Sequence, residues 1–247
     1  MATNHPTGGR ATGRGMPFHR SFMIAGLMAA QLCGGTGAAR ASEPGVSTAS
    51  QPAATTAITL GAPAPDPAAR LVRVQLHTAH GDIVLALDPV HAPVTAANFL
   101  HYVDQKRFDG ALFYRAVKIG DDGKYGLVQG GLYGTHLQPF KPIAHEAPFV
   151  TGLHHAEGAV SMARQDPGTA QSEFFIDIGD LPEYDGNKVD EPGYAVFGYV
   201  ESGMDVVKKM LMMPRAPDKG DGFDGQLLAA PVKIISARRA DTPRAKP

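Results

Sequence analysis

Arg115 directly follows Phe113 and Tyr114 in a short strand-like run of the 247-residue chain. A guanidinium is permanently charged and offers five N–H donors and no acceptor. Buried even in part, it needs an acidic partner or a ligand. Two readings stay open on this segment alone: a salt-bridged strand end, or a cation aimed at a bound molecule. The usual catalytic patterns do not surround it. There is no G-x-S-x-G elbow and no phosphate-cradling glycine loop. His154 and His155 are adjacent, so on a strand they would face opposite sides and read as surface histidines. His145 and Glu146 lie in a loop without a spaced partner, and no metal site is expected. Most conventional hydrolase and nucleotide chemistry is therefore unsupported.

The segments that must position Arg115 are short. Leu71–Thr78 alternates apolar and polar residues, as a half-buried strand does, and Ile83–Leu87 follows Gly81-Asp82 as the second arm of a hairpin. Pro93 suits the first turn of a helix, and Ala96, Phe99, Leu100 and Val103 recur at helical spacing behind it. Further apolar runs follow at 112–114, 126–129, 158–162, 173–176 and 194–200, each bounded by Gly, Asp or Pro. Such a series predicts a mainly antiparallel sheet closed into a barrel, because closure removes exposed edges. Ser202 and Asp205 have capping-box spacing, predicting a second helix whose apolar face is Val206, Val207, Met210 and Leu211. A loop from Pro214 to Gly225 leads to a last strand, Val232–Ala237.

The ends read differently. Arg10, Arg14 and Arg20 precede an apolar run, 21–30, and small residues lead to Ala39-Arg40-Ala41, the make-up of a secretory leader over 1–41. Met16 offers a second start with more usual leader proportions. Cleavage after Ala41 removes Cys33, the sole cysteine, so no disulfide is expected. It also removes four of the 23 Lys and Arg, leaving 19 against 24 acidic residues. A mildly acidic chain without a basic patch excludes a nucleic-acid partner, and no stable membrane insertion is expected once the leader is gone. Residues 42–69 are rich in Ala, Pro, Thr and Ser and read as a linker too poor in apolar bulk to pack. The folded domain is placed at 70–240, with a polar tail at 241–247. The expected location is the bacterial periplasm.

The ordered set of motifs resembles the cyclophilin family, especially its exported bacterial branch. Phe113-Tyr-Arg115 resembles F-H-R, Val128-Gln-Gly-Gly131 resembles x-Q-G-G, and Ser161-Met-Ala163 matches S-M-A. Ser172-Glu-Phe-Phe-Ile176 is similar to S-Q-F-F-I, and Tyr194–Gly198 to the later V-F-G strand. Ala92–Phe99 and Gly203–Val206 resemble the family's two helices, so the likeness covers about residues 70–240. It implies an eight-stranded antiparallel barrel capped by two α-helices, with the active groove on its outer wall. The implied activity is cis–trans isomerisation of the bond before proline, with no cofactor. The implied partners are proline-containing polypeptides, here unfolded or nascent exported proteins, met by a monomer. A second reading keeps the groove but not the catalysis: a chaperone or assembly factor that holds proline segments.

Carried over residue by residue, the resemblance gives Arg115 the catalytic role of donating to the prolyl nitrogen. It gives Phe175 the floor and Leu127 a wall of the proline pocket, and Gln129 contact with substrate and placement of the arginine. Phe113, Ala163, Arg164, Glu173, Tyr184 and Tyr194 complete the implied substrate-binding set. Several positions depart from the family. Glu173 stands for a glutamine, and so is expected either to orient Arg115 or to compete for it. Arg164 stands for an asparagine. Gly126 stands for a phenylalanine, which Tyr125 would have to replace by swinging in. The distal aromatic aligns with Glu183, with Tyr184 and Leu181 as neighbours that could substitute.

Overall fold

In β1 (Val72–Thr78) and β2 (Gly81–Leu87) alternation turns Val74, Leu76, Ile83, Leu85 and Leu87 into one interior. The two strands pair antiparallel from Val72↔Leu87 to Thr78↔Gly81, so Gly81 and Asp82 open the second strand. A computed structural model describes residues 71–120, 122–187, 191–218 and 222–240. The leader, linker and tail expected at 1–41, 42–69 and 241–247 lie outside these residues, as does Arg70, the first residue of the expected domain.

Six more strands complete the sheet: β3 (Leu112–Ile119), β4 (Tyr125–Gly131), β5 (Ala159–Met162), β6 (Phe174–Ile178), β7 (Ala195–Ser202) and β8 (Leu227–Ala240). Their order is β1-β2-β7-β5-β6-β4-β3-β8, closed into a barrel with every ladder antiparallel. β8 begins before the expected Val232. Pro231 cannot donate to a ladder, so a strand is not expected across it. It is tolerated because the β3–β8 register jumps there, from Phe113↔Val232 to Arg115↔Leu227.

Two helices cover the barrel. α1 (Pro93–Asp104) turns Ala96, Phe99, Leu100 and Val103 inward, where Phe99 packs against Phe108, Phe174 and Phe197. No local side chain caps α1. Glu146 does so from 51 residues away, accepting from the Val94 and Thr95 amides at 3.0 and 2.8 Å and from the Thr95 hydroxyl at 2.6 Å. α2 (Pro148–Thr151) is a single turn that the sequence pattern did not indicate. α3 (Met204–Met212) buries the expected Val206, Val207, Met210 and Leu211. The capping box does not form: Ser202 ends β7, and the N-cap is Gly203 at φ 92°, with no side-chain cap. Asp82 O occupies the place of a Gly203 side chain, so only glycine fits.

Candidate active site

The site lies on the outer wall of β3, β4 and β6, and a bulge in β3 creates it. Phe113 pairs with Gly130 and Arg115 with Gln129, so Tyr114 is an extra residue in the ladder. A bulge of this kind re-aims the side chains beyond it. Phe113 points into the core and meets Phe174 edge-on, and Ala116 also joins the core. Arg115 and Val117 point outward. Phe113 is therefore a core residue and not part of the groove. Strict alternation would have given it the same face as Arg115.

Phe175, on the outward face of β6, is 2% exposed and packs with Val117, Leu127 and Ala163 in a small cluster separate from the core. Tyr184 and Tyr194 meet Phe175 edge-on at 6.1 and 5.5 Å and close the sides. Tyr184 is carried by a 3-10 turn at Pro182–Asp185. The result is an apolar pocket lined by Val117, Leu127, Phe175, Tyr184 and Tyr194, with Arg115 and Gln129 at its edge. Tyr184, not Glu183, supplies the aromatic side. Tyr125 does not swing in: it is 46% exposed and packs over Gly179. Gly126 faces Leu211 of α3, and Val117 fills the wall instead.

Arg115 is 5% exposed, and burial lowers its pKa from the ordinary arginine value, opposed by nearby Tyr114, Tyr184, Tyr194 and Asp224. Its Nη1 donates to Gln129 Oε1 at 2.9 Å. Its Nε and Nη2 donate to Gln226 Oε1 at 2.9 and 2.5 Å. The guanidinium also lies over the Phe223 ring, 5.6 Å from its centroid. Three of five N–H groups are thus engaged among the described residues, which leaves one on each terminal nitrogen for a ligand. Gln226 and Phe223 were not foreseen. Both sit in the aperiodic loop before β8, and only closure of the β3–β8 ladder brings them to Arg115.

The profile of the family described as cyclophilin type peptidyl-prolyl cis-trans isomerase/CLD matches residues 73–238. The chain belongs to this family. A peptidyl-prolyl cis-trans isomerase of Acinetobacter baylyi is 34% identical over 169 residues, 67% of this chain and 84% of its own. One from Streptomyces antibioticus is 37% identical over 171 residues, 67% of this chain and 96% of its own. A cyclophilin type isomerase of Cryptosporidium parvum, whose structure is solved, shares the fold at 21% identity. Its TM-score is 0.56, covering 70% of this chain and 99% of that one.

Around this cyclophilin pocket, the remaining expected residues fall into two groups. Gln129, Ala163, Arg164 and Glu173 line a neighbouring groove of about 520 Å³ together with Tyr114, Tyr133 and Phe223. Ala163 donates its amide to Glu173 O at 2.9 Å. The Arg164 guanidinium lies 5.0 Å from the Tyr194 ring centroid and donates to Gly193 O, so it braces the pocket rim. Glu173 neither pairs with Arg115 directly nor competes for it. Its Oε1 accepts from the Leu132 and Tyr133 amides at 2.8 and 3.1 Å and from Ser172 Oγ at 3.0 Å. Burial raises its carboxyl pKa, against the lowering pull of Tyr114, Ser172 and those two amides.

Two buried polar groups lie beneath the pocket. His155 is 1% exposed, not a surface residue: Nδ1 is 2.7 Å from Asp185 Oδ1, Nε2 is 3.1 Å from Ser161 Oγ, and the ring stacks on Phe175 at 5.9 Å. His154 Nδ1 shares the same carboxylate at 2.9 Å. Asp177 is fully buried with neither oxygen hydrogen-bonded among the described residues, and burial pushes its pKa up to about 9.

Proposed function

We propose that this prolyl isomerase acts on unfolded or nascent exported proteins as a monomer in the bacterial periplasm, and that Arg115 is the group acting on the twisting bond. Amide resonance sets a barrier of about 18–20 kcal/mol, and unaided X-Pro isomerisation takes roughly 10–100 s. No bond to carbon is made or broken, so no nucleophile is needed. As the peptide twists, the prolyl nitrogen loses conjugation and gains a lone pair. An N–H of Arg115 donates to that lone pair, an interaction that strengthens only as planarity is lost. The pocket floored by Phe175 holds the proline ring while the preceding residue turns.

One observation carries this reading. A buried guanidinium with two N–H groups left for a ligand stands at the edge of an apolar, aromatic-sided pocket. The test is a protease-coupled proline-peptide assay on the wild type and Arg115→Ala. Loss of one preorganised donor to a transition state typically lowers a rate about 10²–10³-fold, and a similar loss is expected here. Equal rates would end the Arg115 assignment. The export reading rests on the basic, apolar and small-residue order of residues 1–41. Fractionation with N-terminal sequencing tests it: a mature end near Ser42 supports it, and an intact N-terminus in the cytoplasm refutes it.

A further inference from the structure

Arg115 owes its loop contacts to a tight turn. Gln226 N donates to Phe223 O at 2.9 Å, and between them Asp224 and Gly225 have φ 51° and 69°. Two successive positive φ values suit an Asp-Gly pair. The turn sets its two ends beside Arg115: Gln226 accepts from Nε and Nη2, and Phe223 lies against the guanidinium. The sheet loses a hydrogen bond to this turn. The β3–β8 ladder stops at Arg115↔Leu227, which puts Ala116 opposite Gln226. An antiparallel pair of the hydrogen-bonded kind exchanges two bonds. Only one forms here, from Ala116 N to Gln226 O at 3.0 Å. The reciprocal donor, Gln226 N, is committed to the turn, so Ala116 O lacks its ladder partner. A side chain replaces it. Arg215 Nε donates to Ala116 O at 2.8 Å. Its Nη2 donates to Leu211 O at 2.7 Å and its Nη1 to Met213 O, carbonyls at the C-terminal end of α3. Its backbone bridges Leu228, and Ala216 N donates to Leu227 O at 2.8 Å. One half-buried cation thus ties α3, β3 and the start of β8 together beside Arg115 and Gln226.

We propose that Arg215 is a positioning residue for Arg115, acting through Ala116 and Gln226. Ala116 is 1% exposed, and a buried carbonyl is costly to leave unpaired. With Arg215 gone, the nearest backbone donor for it is Gln226 N. Restoring that ladder bond opens the turn and draws Gln226 and Phe223 away from the guanidinium. Arg215 prevents this by satisfying Ala116 O itself. Its planar fork suits the task, because it meets carbonyls of a strand and of a helix end at once, and a cation is favoured at a helix C-terminus. The inference rests on the reading of Arg115 as the group that acts on the substrate.

The test measures kcat and KM for a proline tetrapeptide in the wild type, Arg215→Met, Arg215→Lys, Gln226→Leu, the double variant Arg215→Met/Gln226→Leu, and Arg115→Ala. Arg215→Met keeps an apolar stem and removes the fork. It is expected to lower kcat about tenfold with KM within about twofold, because the pocket that binds proline is untouched. In the Gln226→Leu background the same change is expected to lower kcat less than about twofold further, since the contact that Arg215 maintains is already lost. NMR supplies a second sign. The Arg115 Nε–H, donated to Gln226 Oε1 in the wild type, should exchange with water about tenfold faster in Arg215→Met. A kcat within about twofold of wild type in folded Arg215→Met, a loss confined to KM, losses that multiply in the double variant, or unchanged Nε–H exchange would overturn the inference. Should Arg215→Met fail to fold, Arg215→Lys decides: it keeps the charge at the end of α3 without the fork, and a wild-type kcat in it would overturn the inference equally. Arg115→Ala separates the two claims. If it is inactive while Arg215→Met is normal, only this inference fails; if it matches wild type, the Arg115 reading fails first.

Discussion

Gln226→Leu isolates what the loop before β8 does for catalysis. Gln226 Oε1 is the acceptor for two of the three engaged N–H groups of Arg115, at 2.9 and 2.5 Å. Leucine keeps the bulk and the backbone bonds, in which Gln226 donates to Phe223 O at 2.9 Å and accepts from Ala116 at 3.0 Å. Only the acceptor is lost. Hydrogen bonds to a charged group are worth about 1.5–3 kcal/mol each. The full sum is not expected, because the guanidinium can turn toward the groove and recover water. A net loss of about 1.4–2.7 kcal/mol in transition-state stabilisation corresponds to a 10–100-fold fall in kcat/KM. The assay is the rate of X-Pro interconversion per enzyme, with circular dichroism to show that the barrel persists. A folded Gln226→Leu protein within about twofold of the wild-type rate would mean that Gln129 alone holds Arg115, and the reasoning would be wrong.

Two further outcomes concern stability. Asp177 is fully buried with a pKa raised to about 9, whereas the same group in the unfolded chain ionises near the ordinary 3.8. Between those values the folded state holds a proton that the unfolded state has released. Stability therefore falls as pH rises through this window, by up to about 1.4 kcal/mol per pH unit from this one group. Asp177→Asn should match wild type near pH 4 and pull ahead of it progressively toward pH 8 in urea melts; parallel curves would refute the assignment. Glu146→Ala removes the acceptor for the Val94 and Thr95 amides and the Thr95 hydroxyl at the start of α1. A loss of about 1–2 kcal/mol is expected from the missing cap, and an unchanged denaturation midpoint would show that the amides find other acceptors.

The strands and both long helices were legible because their signals are local. Alternation in Val72–Thr78 and the helical spacing of Ala96, Phe99, Leu100 and Val103 come directly from which faces are buried. The pocket residues Leu127 and Phe175 were reached through motif order, not through local chemistry, since each reads as ordinary core by itself. What stayed hidden depends on distant pairing. The bulge at Tyr114 leaves no trace in composition, yet it sends Phe113 inward and Arg115 outward. Gln226 and Phe223 have no periodicity, and they reach Arg115 only because β8 closes the barrel beside β3. Capping misled in the same way: Ser202 had the right spacing but a strand claimed it, while Glu146 reaches α1 from a loop far along the chain.

The most direct test of the account is magnetisation-exchange NMR on an X-Pro peptide, which follows cis–trans interconversion itself without a coupling protease. With catalytic amounts of the wild-type domain, exchange that takes tens of seconds unaided should become fast enough to give cross-peaks between the cis and trans signals. An equal concentration of folded Arg115→Ala should leave those cross-peaks absent or reduced by about two orders of magnitude. Cross-peaks of wild-type strength in the variant would contradict the account.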